Sequence, residues 1–143
     1  MELKKCIFVF FMMYSACVMA DGDEILGIWL DDAKEGQTRF FKCTDGSYAA
    51  KIVWLLVDKD ENGKPILDKR NPDKDKRTNT LIGSIIMKGI RYVAAENKWT
   101  LPYAYDPKIG MSGAGYIRIV DGEIILKASK FGITKTRIMT RVE

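Results

Sequence analysis

Few residues of this chain could do chemistry, and their types limit what that chemistry can be. None of the 143 residues is a histidine. That removes the usual general base near neutral pH and the commonest zinc ligand. A Ser-His-Asp or Cys-His site cannot be assembled. Of three cysteines, Cys6 and Cys17 sit in an apolar N-terminal run and only Cys43 follows it. Cys43 therefore reads as a small strand residue, neither a nucleophile nor half of an internal disulfide. Asp106 in Tyr105-Asp106-Pro107 has no second carboxylate placed beside it by spacing, so a glycosidase pair is not expected. Asp58-Lys59-Asp60-Glu61-Asn62-Gly63 fits the opening of a calcium loop, with Asp58, Asp60 and Asn62 as candidate ligands. The twelfth position should supply a bidentate Glu, but it is Lys69, and Asp68 comes one residue early. The competing reading is a polar hairpin turning at Asn62-Gly63. No catalytic residue, metal or cofactor is assigned, and the chain reads as a non-enzyme.

Binding is the chemistry that is left. Tyr48, Trp54, Trp99, Tyr105 and Tyr116 are spread over extended segments. Together they could wall an apolar pocket with a few polar handles. The competing reading is ordinary core packing. Gly27-Ile28-Trp29 near the start and Arg141 near the end form another pair of interest. If the first and last strands are neighbours, the guanidinium can lie on the indole face, a contact of about 0.5–2 kcal/mol. Gly27, Trp29 and Arg141 are then structural closure residues.

The elements that must position these residues are strands. Short apolar or alternating segments run over 26–30, 38–43, 48–57, 80–87, 89–93, 97–105, 115–120, 123–128 and 134–142. Asp45-Gly46 and Asp121-Gly122 are hairpin signals, because such pairs accept the positive φ that tight turns need. On the third segment Ala50, Ile52 and Trp54 share one face by strict alternation. Residues 58–79 form the one long irregular stretch, crowded with Asp, Lys, Asn and Pro, and few of them suit burial. The pattern predicts an all-β, antiparallel meander of about eight to nine strands. It closes most simply into an up-and-down barrel, with no exposed edges. A strongly bent open sheet or a sandwich is the alternative.

The N-terminus has a different character. Lys4 and Lys5 precede a predominantly apolar run of 15 residues, Cys6 to Ala20, and Asp21-Gly22-Asp23-Glu24 follow at once. A spanning helix needs about 20 apolar residues. The pattern predicts a cleavable signal peptide over 1–20 and a single domain over 21–143, with no membrane span after cleavage. Lipidation at Cys17 is the alternative. The exported part would carry 21 basic and 18 acidic residues. That mild, dispersed charge gives no reason to invoke nucleic acid.

Taken in order, several segments resemble a known family. They are Gly27-Ile28-Trp29, Lys51-Ile52-Val53-Trp54-Leu55, Asp68-Lys69-Arg70-Asn71-Pro72-Asp73, Gly83, Trp99, Tyr105-Asp106-Pro107 and Thr140-Arg141-Val142. Their order and spacing resemble the exported bacterial family called domain of unknown function 2147. The resemblance implies a small lipocalin-like barrel in the envelope of a Gram-negative bacterium, most simply the periplasm, with no established activity. Met139 stands where the family usually has Trp, and Thr134 where a Gly is usual. The expected function is non-catalytic binding of a small apolar or amphipathic ligand by a monomer. The alternative is an envelope protein-interaction module that uses the polar loop 58–79.

Overall fold

Asp-Gly pairs reverse the chain where their chemistry allows it. Gly46 has φ +85°, and Asp121 and Gly122 have φ +52° and +79°. In the computed structural model, which describes residues 22–142, these turns join strands into one continuous meander. The strands are β1 (Gly27–Asp31), β2 (Gly36–Lys42), β3 (Tyr48–Leu55), β4 (Ile85–Val93), β5 (Lys98–Asp106), β6 (Met111–Val120), β7 (Glu123–Lys130) and β8 (Ile133–Arg141). Each pairs antiparallel with the next, and β1 pairs with β8, so the barrel is closed. Among the described strands, closure leaves no unpaired edge. Among the described residues no helix is long and apolar enough to cross a membrane. The expected signal peptide lies outside the described residues.

The strand count is eight because two predicted segments merge. Residues 89–93 continue the strand that begins at Ile85, through Gly89 at φ +71°. Opposite it, Tyr48 pairs with Ile90 and Ala50 with Met87, so β4 spends one residue more than β3. That is a β-bulge with glycine at its positive-φ position. A Cβ on Gly89 would also press against Pro102. Residues 80–84, expected as strand, instead fold back on themselves. The Ser84 hydroxyl donates to the Thr80 carbonyl at 2.5 Å, and the Ser84 amide donates to the Leu81 carbonyl.

The two ends of the barrel differ. A short 3-10 turn (Gly22–Ile25) precedes β1 and lies across one end. Ile25, Trp29, Phe40, Ile90, Trp99, Leu101, Ile117 and Ile124 fill that half, all essentially inaccessible to solvent. The Trp29 indole donates to the Ile25 carbonyl at 2.9 Å, and the Trp99 indole donates to the Gly22 carbonyl at 3.0 Å. Both large rings thus satisfy their one polar atom on the plug they pack against. Gly27, at φ +120°, turns the chain from plug to strand. Trp29 and Arg141 are paired across the β1–β8 seam. The guanidinium lies 4.2 Å from the indole centroid and donates to the carbonyls of Leu26 and Glu24 at 2.7 and 2.6 Å.

Candidate ligand cavity and its mouth

The other half of the barrel is open. The links after β1, β3, β5 and β7 all emerge there; residues from the first three links, and Lys130 and Ile133 flanking the fourth, line a cavity of about 580 Å3. Its walls are mainly apolar: Ile52 and Leu55 from β3, Ile86 and Met87 from β4, Leu126 and Ala128 from β7, and Met139 from β8. Thr38, Tyr105, Ser112 and Ser129 are interspersed polar handles. Small-molecule sites commonly have about 300–1,000 Å3 and this mixture of apolar wall and sparse polar groups.

Charged side chains ring the mouth as loose pairs. Lys108 meets Glu35, Lys135 approaches Asp106 at 3.5 Å, and Arg137 approaches Asp32 at 3.6 Å and Asp106 at 3.7 Å. The Lys108 ammonium, by hydrogen bond and charge, holds the Glu35 carboxyl below its usual range. These pairs are substantially exposed, so their contribution to stability is small.

The long link between β3 and β4 forms part of this site. Its sequence suggests little burial, yet Asp68 and Asn71 are both buried. Asp68 is the hub. One carboxylate oxygen accepts from the Tyr105 hydroxyl at 2.7 Å, and the other accepts from the Asn71 side-chain amide at 2.8 Å. Asn71 in turn accepts from the Asp73 amide, and its carbonyl accepts from Arg77 Nε. Burial first, and the Asp68 hydrogen bond second, push the Tyr105 phenol well above its ordinary value, so it remains a proton donor to Asp68. Arg70 donates to the Lys108 carbonyl, on the turn after β5. Gly110 ends that turn at φ +66°, where any Cβ would collide with the Arg70 backbone. Fastened this way, the link sets Ile66 and Leu81 into the cavity wall.

Of the five aromatic residues expected to wall a pocket, only Tyr105 lines the cavity, and its hydroxyl is committed to Asp68. Tyr48 and Trp99 belong to the filled end. The Tyr48 hydroxyl donates to Asp23 at 2.6 Å and, ahead of Lys42, holds that carboxyl below its usual range. Trp54 is 38% exposed and absent from the cavity wall. The cause is a register shift: Gln37 faces Trp54 but Thr38 faces Ile52, so β3 carries an extra residue at Val53. Alternation reverses across that bulge, and Leu55 lines the cavity in place of Trp54. Tyr116 lies outside the core beside buried Ile117, between Lys98 and Arg118, whose cationic groups are 5.4 and 5.6 Å from its ring centroid. Ile52, Met87, Leu126 and Met139, which build the wall, have no chemical signature. Only their inward phase on alternating strands could have marked them.

The calcium candidate is a small hairpin. One Asp60 carboxylate oxygen accepts from the amides of Asn62 and Lys64 at 2.8 and 3.0 Å, and Lys59 bridges to Pro65. That is turn chemistry, with the oxygen turned toward its own backbone. Among the described residues no cluster of three or more Asp, Glu, Cys or His is placed to hold a metal ion.

A closed eight-stranded meander, plugged at one end and hollow at the other, is a lipocalin-like barrel. A solved structure of a Helicobacter pylori protein, described as belonging to the lipocalin family, has the same fold at a TM-score of 0.68, with 18% identity and 83% of each chain covered. The chain itself belongs to the bacterial family described as uncharacterized protein conserved in bacteria (DUF2147), which matches residues 27–141. No curated protein matches it.

Proposed function

We propose that this protein binds a small apolar or amphipathic molecule in the open half of its barrel and does not transform it. The observation that carries the reading is the cavity of about 580 Å3, mainly apolar in its walls, with charged side chains such as Arg137, Lys135 and Asp106 among its lining. Such a site takes up a hydrocarbon portion for its burial and leaves a polar end near solvent. The lipocalin-family neighbour supports the reading through its fold. The test is displacement of an environment-sensitive fluorescent fatty-acid analogue, together with native mass spectrometry of protein taken from its host. Ala128→Phe replaces a small wall residue with a ring that fills part of the cavity. It is expected to weaken probe binding by about tenfold or more, a loss of at least ~1.4 kcal/mol, while thermal unfolding changes little. If the wild-type protein takes up no apolar probe and carries no co-purifying molecule, the reading is wrong.

We further propose that the protein acts after export, in the periplasm. The basic start, the apolar run Cys6 to Ala20 and the abrupt acidic boundary support this. N-terminal sequencing of protein recovered from cells is expected to begin at Asp21. Recovery of an intact Met1 terminus from the cytoplasmic fraction would overturn it, and a lipid-modified Cys17 terminus would favour the lipoprotein alternative.

A further inference from the structure

Two hairpins of this barrel share one turn geometry and have opposite chemistry. At the plugged end, Asp121-Gly122 makes the two-residue β6–β7 turn with φ +52° and +79°. At the open end, Phe131-Gly132 makes the β7–β8 turn with φ +53° and +76°. Turns with two positive φ values favour Asn-Gly or Asp-Gly, because a short polar side chain tolerates the left-handed region and a bulky one does not. Phenylalanine is thus a poor choice for the backbone at position 131. It is also a poor choice for solvent, since Phe131 is 84% exposed. Neither folding nor packing accounts for it.

Phe131 is not isolated. Leu56, Val57, Ile109 and Ile133 border the same opening and are 61, 68, 44 and 67% exposed. They come from the β3–β4 link, the β5–β6 turn and the first residue of β8, so the apolar rim follows the mouth and is not one strand's face. Lysines stand among them. Lys130 lies 5.4 Å from the Phe131 ring centroid, Lys108 precedes Ile109, and Lys135 follows Ile133 by two residues. The acidic partners of Lys108 and Lys135 are side chains of exposed pairs, which exchange readily with other anions. Apolar side chains projecting from a lysine-bearing rim match the order of an anionic bilayer, with charged headgroups outside and hydrocarbon beneath.

We propose that the open rim docks onto a bilayer containing anionic lipid, with Phe131 entering the headgroup–acyl boundary and Lys130 and Lys108 at headgroup level. The cavity then opens directly onto the membrane. This inference does not rest on the ligand reading: a rim can dock whether or not the cavity is filled.

The test is co-sedimentation with vesicles of phosphatidylcholine, with and without phosphatidylglycerol. Phe131→Asn is the decisive variant because asparagine suits the turn better than phenylalanine. Its thermal unfolding is expected to be unchanged or raised, so lost binding cannot be ascribed to misfolding. All chains carry the same N-terminal segment, and the difference between wild type and variant reads the rim alone. Wild type is expected to pellet with phosphatidylglycerol-containing vesicles and more weakly with phosphatidylcholine. Phe131→Asn is expected to bind at least about tenfold more weakly, the order set by losing one buried phenyl group. Equal binding by the variant, no binding by wild type, or equal binding to both vesicle types would overturn the proposal. So would a result in which Phe131→Asn changes only self-association in sedimentation velocity, because the rim would then be a contact between copies of this chain.

Discussion

Replacing Trp29 with alanine is expected to destabilise the barrel by about 3–5 kcal/mol, the cost typical of emptying a buried Trp site. The ring is fully buried and touches both the plug and the seam. Its loss leaves the Ile25 carbonyl without the indole donor and Arg141 without the ring beneath it. Arg141 would retain its bonds to the Leu26 and Glu24 carbonyls, so the seam should loosen without parting. Equilibrium urea unfolding measures the loss. Arg141→Ala is the informative companion: it keeps the core volume and removes the cap, and a smaller loss is expected. An equal loss from both variants would mean that the guanidinium, not the indole, holds the end shut.

Asp68→Ala is expected to cost about 3 kcal/mol through a different route. The buried Tyr105 hydroxyl and Asn71 amide both lose their acceptor, and an unsatisfied buried polar group costs about 1–3 kcal/mol. The effect should be local before it is global. The link between β3 and β4 would come away from Tyr105, and Ile66 and Leu81 would leave the cavity wall. Trypsin should then cut at Arg70 and Arg77 faster than in wild type, and the fluorescent probe should bind more weakly. Tyr105→Phe keeps the ring and removes one donor, so a smaller shift in both readouts is expected. Unchanged proteolysis in Asp68→Ala would show that the link is held by its other contacts, such as that of Arg70 with the Lys108 carbonyl.

The meander was legible because its strands alternate and its turns carry their own chemistry. Asp45-Gly46 and Asp121-Gly122 announced two hairpins. The seam was legible from Trp29 and Arg141, two residues whose contact makes sense only if the ends of the chain meet. The cavity was not, for two physical reasons. Bulges change which face a side chain takes without leaving a mark in composition: the extra residue at Val53 turns Trp54 out and Leu55 in. Aromatic residues also draw attention that the wall does not need. This barrel spends Trp29, Trp99 and Tyr48 on its filled end and builds its hollow from Ile, Leu, Met and Ala. Asp68 was hidden inside a stretch whose composition suggests solvent. What sets it apart is a partner 37 residues away, Tyr105 on β5.

The β1–β8 seam bears on how this barrel forms. Every other ladder joins strands adjacent in the chain, and β7–β8 has eight registered pairs, whereas the seam has three. Apart from β3–β4, which is joined by the long link 56–84 and also has three registered pairs, ladders between chain neighbours need little loop closure, so those hairpins can assemble one after another at modest entropic cost. The seam must instead bring residues 29 and 141 together, and it gains few backbone bonds for doing so. It is the step that waits for the rest. Kinetic analysis should find β1 and β8 unstructured in the folding transition state, with φ-values near zero at Trp29 and Arg141, while β6 and β7 are already paired. Until that last zip, the barrel is an open sheet with two bare edges, and the latch of indole, guanidinium and two carbonyls removes them.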